Sequence, residues 1–464
     1  MMRFVDLWRW DGTVGRRAYL LVGVIGFAIK HNLDRLVASA MFHQRWGIFN
    51  YWIPPEQLTR LHELSPDQRN LLVTLLVMAV PFIWVGVTMT LKRLRSAGLP
   101  TWLVALFFAP FINLIFFLLL ALLPSRCDDV AAAPTATSRR DSALGRLIPD
   151  HPLGSAVAAL IATVLLGLGA TAFNVTTLQK YGWGLFVLLP FCLGFVSVLI
   201  YGYHKRRSYL SCLFVSGLSV TFLGIALVTL AFEGVLCLLM AAPIAYVLAC
   251  MGTTIGYVIQ WRPWDESATT SLMLALVLAV PLLMGAEYVS APVAPIFAVR
   301  TSVEIDAPPA TVWRNVVAFA ELPPPTEWAF RAGVAYPIRA RIHGQGVGAE
   351  RHCVFSTGAF IEPIQVWEAP HLLRFGVTSN PPPMQEWTPY RAIHPPHLDG
   401  FLVSRQGQFL LTPLPGGRTR LEGTTWYQHH MWPVSYWRLW SDRIIHMIHR
   451  RVLRHIKGLA ERQA

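Results

Sequence analysis

Charge is what this chain has least of. Only 14% of its 464 residues are Asp, Glu, Lys or Arg, against about 25% in an ordinary soluble domain. That shortage excludes a wholly water-soluble architecture. Acids are scarcer still, 26 against 39 basic residues, a formal net charge of +13. The arginines are scattered and no known motif organises them, which argues against nucleic acid as a partner. Cationic cytoplasmic loops and attraction to anionic lipid account for the excess. Six cysteines form no disulfide framework. Cys192, Cys212, Cys237 and Cys250 lie in apolar runs and read as small hydrophobes. Cys127 and Cys353 are isolated, and without a Cys-x-x-Cys pair the zinc and thioredoxin-like readings fail. Gly-x-Ser-x-Gly and His-Glu-x-x-His are also absent, removing two hydrolase signatures. No small-residue cleavage site closes the first apolar run, so a retained helix is expected there rather than a signal peptide.

What the chain has instead is hydrocarbon, with 54% hydrophobic residues and a mean hydropathy of +0.45. A bilayer crossing needs about 20 mostly apolar residues. Eight stretches are candidates: Tyr19 to Phe42, Leu71 to Leu91, Trp102 to Leu123, Leu153 to Phe173, Trp183 to Tyr203, Leu210 to Leu230, Val235 to Val258 and Ser271 to Met284. The first is the weakest, because Lys30, Asp34 and Arg35 follow a short apolar part; Lys30 and Asp34 stand at the i,i+4 spacing of a helical pair. Glu233 falls in "AFEGV", where a solvated turn is expected between two crossings. Ala, Thr, Ser, Pro and mixed charge mark residues 126–151 as a linker. It separates a front membrane unit, 1–125, from a second multi-span unit, 152–290. Lys92, Arg93 and Arg95 are expected in a short loop between crossings, and Lys205, Arg206 and Arg207 in another. With Arg16 and Arg17 before the first crossing, these cations favour the cytoplasm. All three groups fit only if residues 102–123, with Pro110 and Asn113 at their centre, form a hairpin instead of crossing once. The C-terminal domain would then lie outside, in the periplasm.

"WDGTVGRRAYL" before the first crossing and "LKRLRSAGLPTWL" after the second resemble the bacterial inner-membrane family called domain of unknown function 805. Where that family carries His-Asp, this chain has Arg95-Ser96. The resemblance covers residues 1–125 and implies a bacterial inner-membrane location without an activity. Arg16 and Arg17 could chelate lipid headgroups, although a topology signal explains them equally.

From Phe297 the pattern changes. "FAVRTSVEID" alternates like a strand, and Pro308-Pro309 opens a helix whose Val312, Trp313, Val316 and Val317 share one face. Short strands follow in "AYPIRARIHG", "ERHCVFSTGAF", "IQVWEA" and "LLRFGV". A hairpin is expected with Pro415-Gly416-Gly417 at its tip. The end is an amphipathic helix from Val434 to Arg462 with Ile445, Ile448, Val452, Ile456 and Leu459 on one stripe. "HGQGVGAE" is a turn, since strand text and no helix follows it. This α+β order, with "EIDAPPATVW" and "LTPLPGGRTRLEGTT", resembles the START and polyketide-cyclase-like (SRPBCC) superfamily over residues 296–464. The resemblance implies a helix grip, a sheet curled round the terminal helix with an apolar cavity for a lipid or other hydrophobic molecule.

Trp367, Trp387, Tyr390, Trp426, Tyr427 and Trp440 are the candidates for lining such a cavity. His446 and His449 stand at i,i+3 and His429-His430 ends a strand, but no carboxylate accompanies them at ligand spacing, so no metal is expected. "IHPPHLD" reads as an extended loop. Glu362, Glu368 and Glu386 could supply an acid, yet no partner base is evident. No cofactor and no catalytic residue are expected. The fold class expected is a polytopic α-helical membrane protein followed by an α+β helix-grip domain. Its partners would be the bilayer and a hydrophobic small molecule or lipid that the domain carries or senses. An enzyme on a hydrophobic substrate, such as a cyclase or hydrolase, and a transporter are the alternatives.

Overall fold

A computed structural model describes residues 4–44, 46, 47, 51, 66–99, 101–108, 112–122, 143–260, 266–290, 293–390 and 393–464. They form two compact units, one of residues 1–158, 198–209 and 254–278, the other of 159–197, 210–253 and 279–464. The helices are α1 Arg16–Phe42, α2 Pro66–Ser96, α3 Ile112–Leu122, α4 Ala143–Leu147, α5 Pro152–Phe173, α6 Leu189–Tyr201, α7 Tyr209–Thr229, α8 Val235–Gln260, α9 Glu266–Ser290, α10 Pro309–Val317, α11 Trp328–Arg331 and α12 Val434–Glu461.

Among the described residues, six helical segments are long and apolar enough to cross a membrane: Pro66–Ser96, Pro152–Leu178, Gly184–Tyr201, Tyr209–Thr229, Val235–Gln260 and Ser271–Ser290. Their apolar side chains point outward as well as inward. Leu76, Val77, Ile161, Leu165, Phe214 and Leu282 are all more than half exposed, a belt that water would not tolerate and hydrocarbon covers. Two of the eight expected crossings are not of this kind. In α1 the buried Lys30 and Asp34 pair with each other on one face, and the flanking charge shortens the apolar run. Trp102 to Leu123 divides into a 3-10 helix, Thr101–Phe108, and α3; Pro110 and residues 126–142 of the expected linker lie outside the described residues.

The basic residues after the second apolar stretch are also placed differently from expectation. They do not sit in a solvated loop but end α2. Arg93 is fully buried and donates to the carbonyl of Leu120 at 2.8 Å and to Ser96 Oγ at 2.7 Å. Lys92 donates to the carbonyl of Asp6, and the exposed Arg95 to that of Trp10. These cations bind backbone carbonyls from other segments, and they suit the negative end of a helix. Arg207 likewise reaches the carbonyls of Tyr201 and Asp150 at 3.2 and 3.3 Å. Arg16, Arg17, Lys205 and Arg206 are exposed.

In the second unit α6 and α8 approach closely. A Cβ on Gly194 would lie 2.0 Å from the Ala249 carbonyl oxygen, and one on Gly252 would lie 2.1 Å from that of Phe191. Small residues that let backbones touch are a standard way for helices to associate in lipid, where apolar side chains gain nothing by leaving their surroundings.

The C-terminal domain is a seven-stranded antiparallel sheet in the order β1-β7-β6-β5-β4-β3-β2. Its strands are β1 Ile296–Ile305, β2 Pro337–His343, β3 Glu350–Phe355, β4 Gly358–Glu368, β5 Leu372–Gly376, β6 Leu402–Leu414 and β7 Arg418–His429. β1 pairs with β7 along its whole length, from Ile296 opposite Gln428 to Ile305 opposite Thr419. Gly416 and Gly417 turn the β6–β7 hairpin with φ of 79° and 73°, values that favour glycine. Pro309 opens α10 as expected, and Val312, Trp313 and Val316 bury its face. The sheet curls over α12, whose Ile445, Val452 and Ile456 are buried, beside a core of Ile305, Val312, Leu373, Leu421 and Leu453. This is the helix-grip arrangement.

Replacing Gly194 with Val forces α6 and α8 apart. It should destabilise the full chain by about 1–3 kcal/mol, seen as a lower melting temperature in detergent, whereas Gly224→Ala, where a Cβ meets nothing within 4 Å, should not.

Candidate functional site

Between the concave sheet and α12 lies a cavity of about 110 Å³. Phe355, Phe360, Phe375 and Phe409 line it from the sheet, Phe319 from the segment after α10, and Ile445, Ile448, Val452 and Leu453 from α12. Alternation puts the four strand phenylalanines inward, because every second side chain of a strand faces the same way. The cavity also has a polar component. Arg351 on β3 and Glu362 on β4 are direct cross-strand partners, and both are buried and ion-paired. The guanidinium lies 5.1 to 5.6 Å from the ring centres of Phe375, Phe409 and Phe319, within cation–π range. Burial raises the Glu362 pKa, and Arg351 opposes that rise. Cys353 beside them is pushed up to about 12, chiefly by burial. His449 of α12 bridges Thr301 and Thr425 at 3.1 and 2.8 Å, while His446 bonds Thr301 at 2.8 Å. Burial, with His446 nearby, lowers the His449 pKa to about 4, so its imidazole is neutral at pH 7.

The six expected aromatic residues lie elsewhere. Trp367 packs edge-on against Trp313 with ring centres 5.7 Å apart. Tyr427 is fully buried and donates to Asp442 at 2.5 Å. Trp426 is half-buried on β7. Trp440 packs on a second core cluster with Phe186, Phe330 and Trp437. Trp387 and Tyr390 are 50% and 46% exposed, and the Tyr390 hydroxyl donates to the Thr229 carbonyl. The cavity is a phenylalanine site in which none of these six takes part.

A second constellation was not foreseen. Glu233 stands at the turn between α7 and α8, as expected, but it is only 4% exposed. Tyr181 donates to its Oε1 at 2.6 Å, and its Oε2 lies 3.1 Å from Nδ1 of His397. His397 occupies a short 3-10 turn, Pro396–Leu398, set up by the proline pair before it. Its Nε2 lies 3.3 Å from Glu386 Oε1. Glu386 in turn accepts from the backbone amides of Leu236 and Cys237 at 3.0 and 3.2 Å. It thereby satisfies orphan donors in the first turn of α8, where a carboxylate also meets the positive end of the helix. Burial disfavours a charged His397, but Cys237, Glu233 and Glu386 outweigh it and raise its pKa above the ordinary histidine range. Burial and the neighbouring Glu233 raise the Tyr181 pKa. Glu233, Cys237 and His397 each bring a ligand-type atom to within 4.8 Å of the others. The sequence offered Glu233 as a lone acid inside an apolar run, Glu386 as a candidate acid and "IHPPHLD" as an extended loop, but nothing that joined them, and His397 sits in a 3-10 turn instead of extended chain.

Against known proteins, no family model and no curated protein matches the chain, so the front-unit resemblance gains no support there. Solved structures match over the C-terminal part. They include truncated norcoclaurine synthase from Thalictrum flavum, 12% identical, covering 36% of this chain and 95% of that one, with a TM-score of 0.25. A protein from Mesorhizobium loti is 16% identical over 36% and 99%, at 0.24. One from Chromobacterium violaceum is 15% identical over 35% and 96%, at 0.22. At these values the likenesses add nothing to the fold read from the strand order.

Removing one member of the buried pair strands the other's charge. Arg351→Met or Glu362→Gln should cost about 3–5 kcal/mol, while the double change Arg351→Met with Glu362→Leu should recover much of it, measured by denaturation of the full chain. For His449, the folded pKa of about 4 lies below the ordinary value of about 6.5. The unfolded chain therefore binds the extra proton between those values, and stability falls as pH drops from about 6.5 toward 4. Between pH 6.5 and 5 that loss should be about 2 kcal/mol smaller in His449→Gln, followed by melting temperature against pH.

Proposed function

We propose that the chain is an integral membrane protein whose helix-grip domain holds a small, largely apolar molecule and carries or senses it beside the bilayer. The observation that carries this reading is the phenylalanine-lined cavity between the sheet and α12. Its size sets the ligand class. A dry cavity of about 150 Å³ accepts a benzene ring, so about 110 Å³ suits one ring or a short branched chain, such as a quinone-like head. A whole lipid is larger than this space. An enzymatic reading has less support. General acid–base work needs a positioned pair, but Glu362 is engaged by Arg351 and His449 by two threonine hydroxyls.

Full-length protein in detergent should bind para-fluorophenol above a detergent-only blank, as read by fluorine NMR. Val452→Phe, which fills the space, should weaken binding by about tenfold or more, that is, by about 1.4 kcal/mol or more, with unchanged circular dichroism. Equal binding by both proteins, or none above the blank, would refute the reading.

A further inference from the structure

We infer that Glu233, Cys237 and His397 form a transition-metal site, best suited to zinc, that pins the α7–α8 turn to the loop between β5 and β6. It lies wholly within the second compact unit and is separate from the phenylalanine cavity.

Three observations carry it. The first is convergence. A carboxylate oxygen, a thiol sulfur and an imidazole nitrogen, all buried, lie within 4.8 Å of one another. Tetrahedral ligands about 2.0–2.3 Å from a zinc ion lie about 3.3–3.8 Å apart, so a small contraction completes the set.

The second is orphaned polarity. Glu233 Oε2 and His397 Nδ1 are 3.1 Å apart, an ion-pair distance, yet neither atom meets a partner in good hydrogen-bonding geometry. Two buried polar atoms paired in poor geometry are incompletely satisfied. A cation between them would satisfy both.

The third is the outer ring of partners. Tyr181 fixes the other oxygen of Glu233 at 2.6 Å, and Glu386 stands 3.3 Å from the far nitrogen of His397. A carboxylate behind a histidine holds its ring and tautomer so that the opposite nitrogen offers its lone pair to a metal. Glu386 is itself held by the α8 amides, so the support extends to backbone.

The donor types choose the ion. One sulfur, one nitrogen and one oxygen disfavour calcium and magnesium, which take oxygen, and suit zinc. Glu233 and Cys237, the latter losing its thiol proton to solvent on binding, balance the charge of a dication.

Cobalt(II) is the probe, because thiolate ligation gives it a charge-transfer band in the near ultraviolet. Full-length protein, stripped with chelator in detergent, should show this band on cobalt addition and should take up about one zinc per chain by elemental analysis. Cys237→Ser should abolish the band, and Cys353→Ser should keep it. Tyr181→Phe should weaken zinc binding by about 10- to 100-fold while the far-ultraviolet dichroism is unchanged. If Cys237→Ser does not fold, a chain keeping Cys237 as its only cysteine replaces it, and the band must persist there. A wild-type chain without the band, or a band that survives in folded Cys237→Ser, overturns the inference.

Discussion

A charge taken out of water must meet an opposite charge or the ends of backbone dipoles, and the buried groups of this chain obey that constraint one by one. Lys30 pairs with Asp34 inside α1. Arg93 spends its guanidinium on a carbonyl and a hydroxyl. Arg351 is held by Glu362 and three phenylalanine faces. Glu386 caps α8, and His397 stands between two carboxylates. With so few charges, Arg93, Glu386 and His397 each mark a place where segments distant in sequence are fastened together.

The remaining surface follows from the same scarcity. Helices whose outward faces are Leu, Val, Ile and Phe lie comfortably only in hydrocarbon, and there the hydrophobic effect cannot draw one helix to another. Close backbone contact does so instead, as at Gly194 and Gly252. The C-terminal domain works by the opposite rule. Its core is built by removing apolar surface from water, and its strands alternate cleanly enough to leave one face for the cavity.

Much of the fold could be read directly. Six apolar runs became long apolar helices close to their expected bounds, because hydropathy over about 20 residues is a local property. The Pro-Gly-Gly hairpin and the terminal helix were equally legible, since period-2 and 3.6-residue patterns are local too; "ERHCVFSTGAF", expected as one strand, turns at Ser356–Thr357, and its end joins "IQVWE" in β4. The candidate sites were less so. Large aromatics were expected in the cavity, whereas phenylalanines on the inner face of the curled sheet line it. Lys92 and Arg93 looked like loop cations because their carbonyl partners, such as those of Asp6 and Leu120, are remote in sequence.

The sequence by itself determined that this is a chain of bilayer-length helices followed by an antiparallel sheet and a long amphipathic helix. Each of those features is written in neighbours a few residues apart. Only the tertiary structure decided that Glu233, Glu386 and His397 meet. Their separations of 11 and about 150 residues carry no periodic signal, and what joins them is the closing of loops around the first turn of α8, where backbone amides wait for a carboxylate.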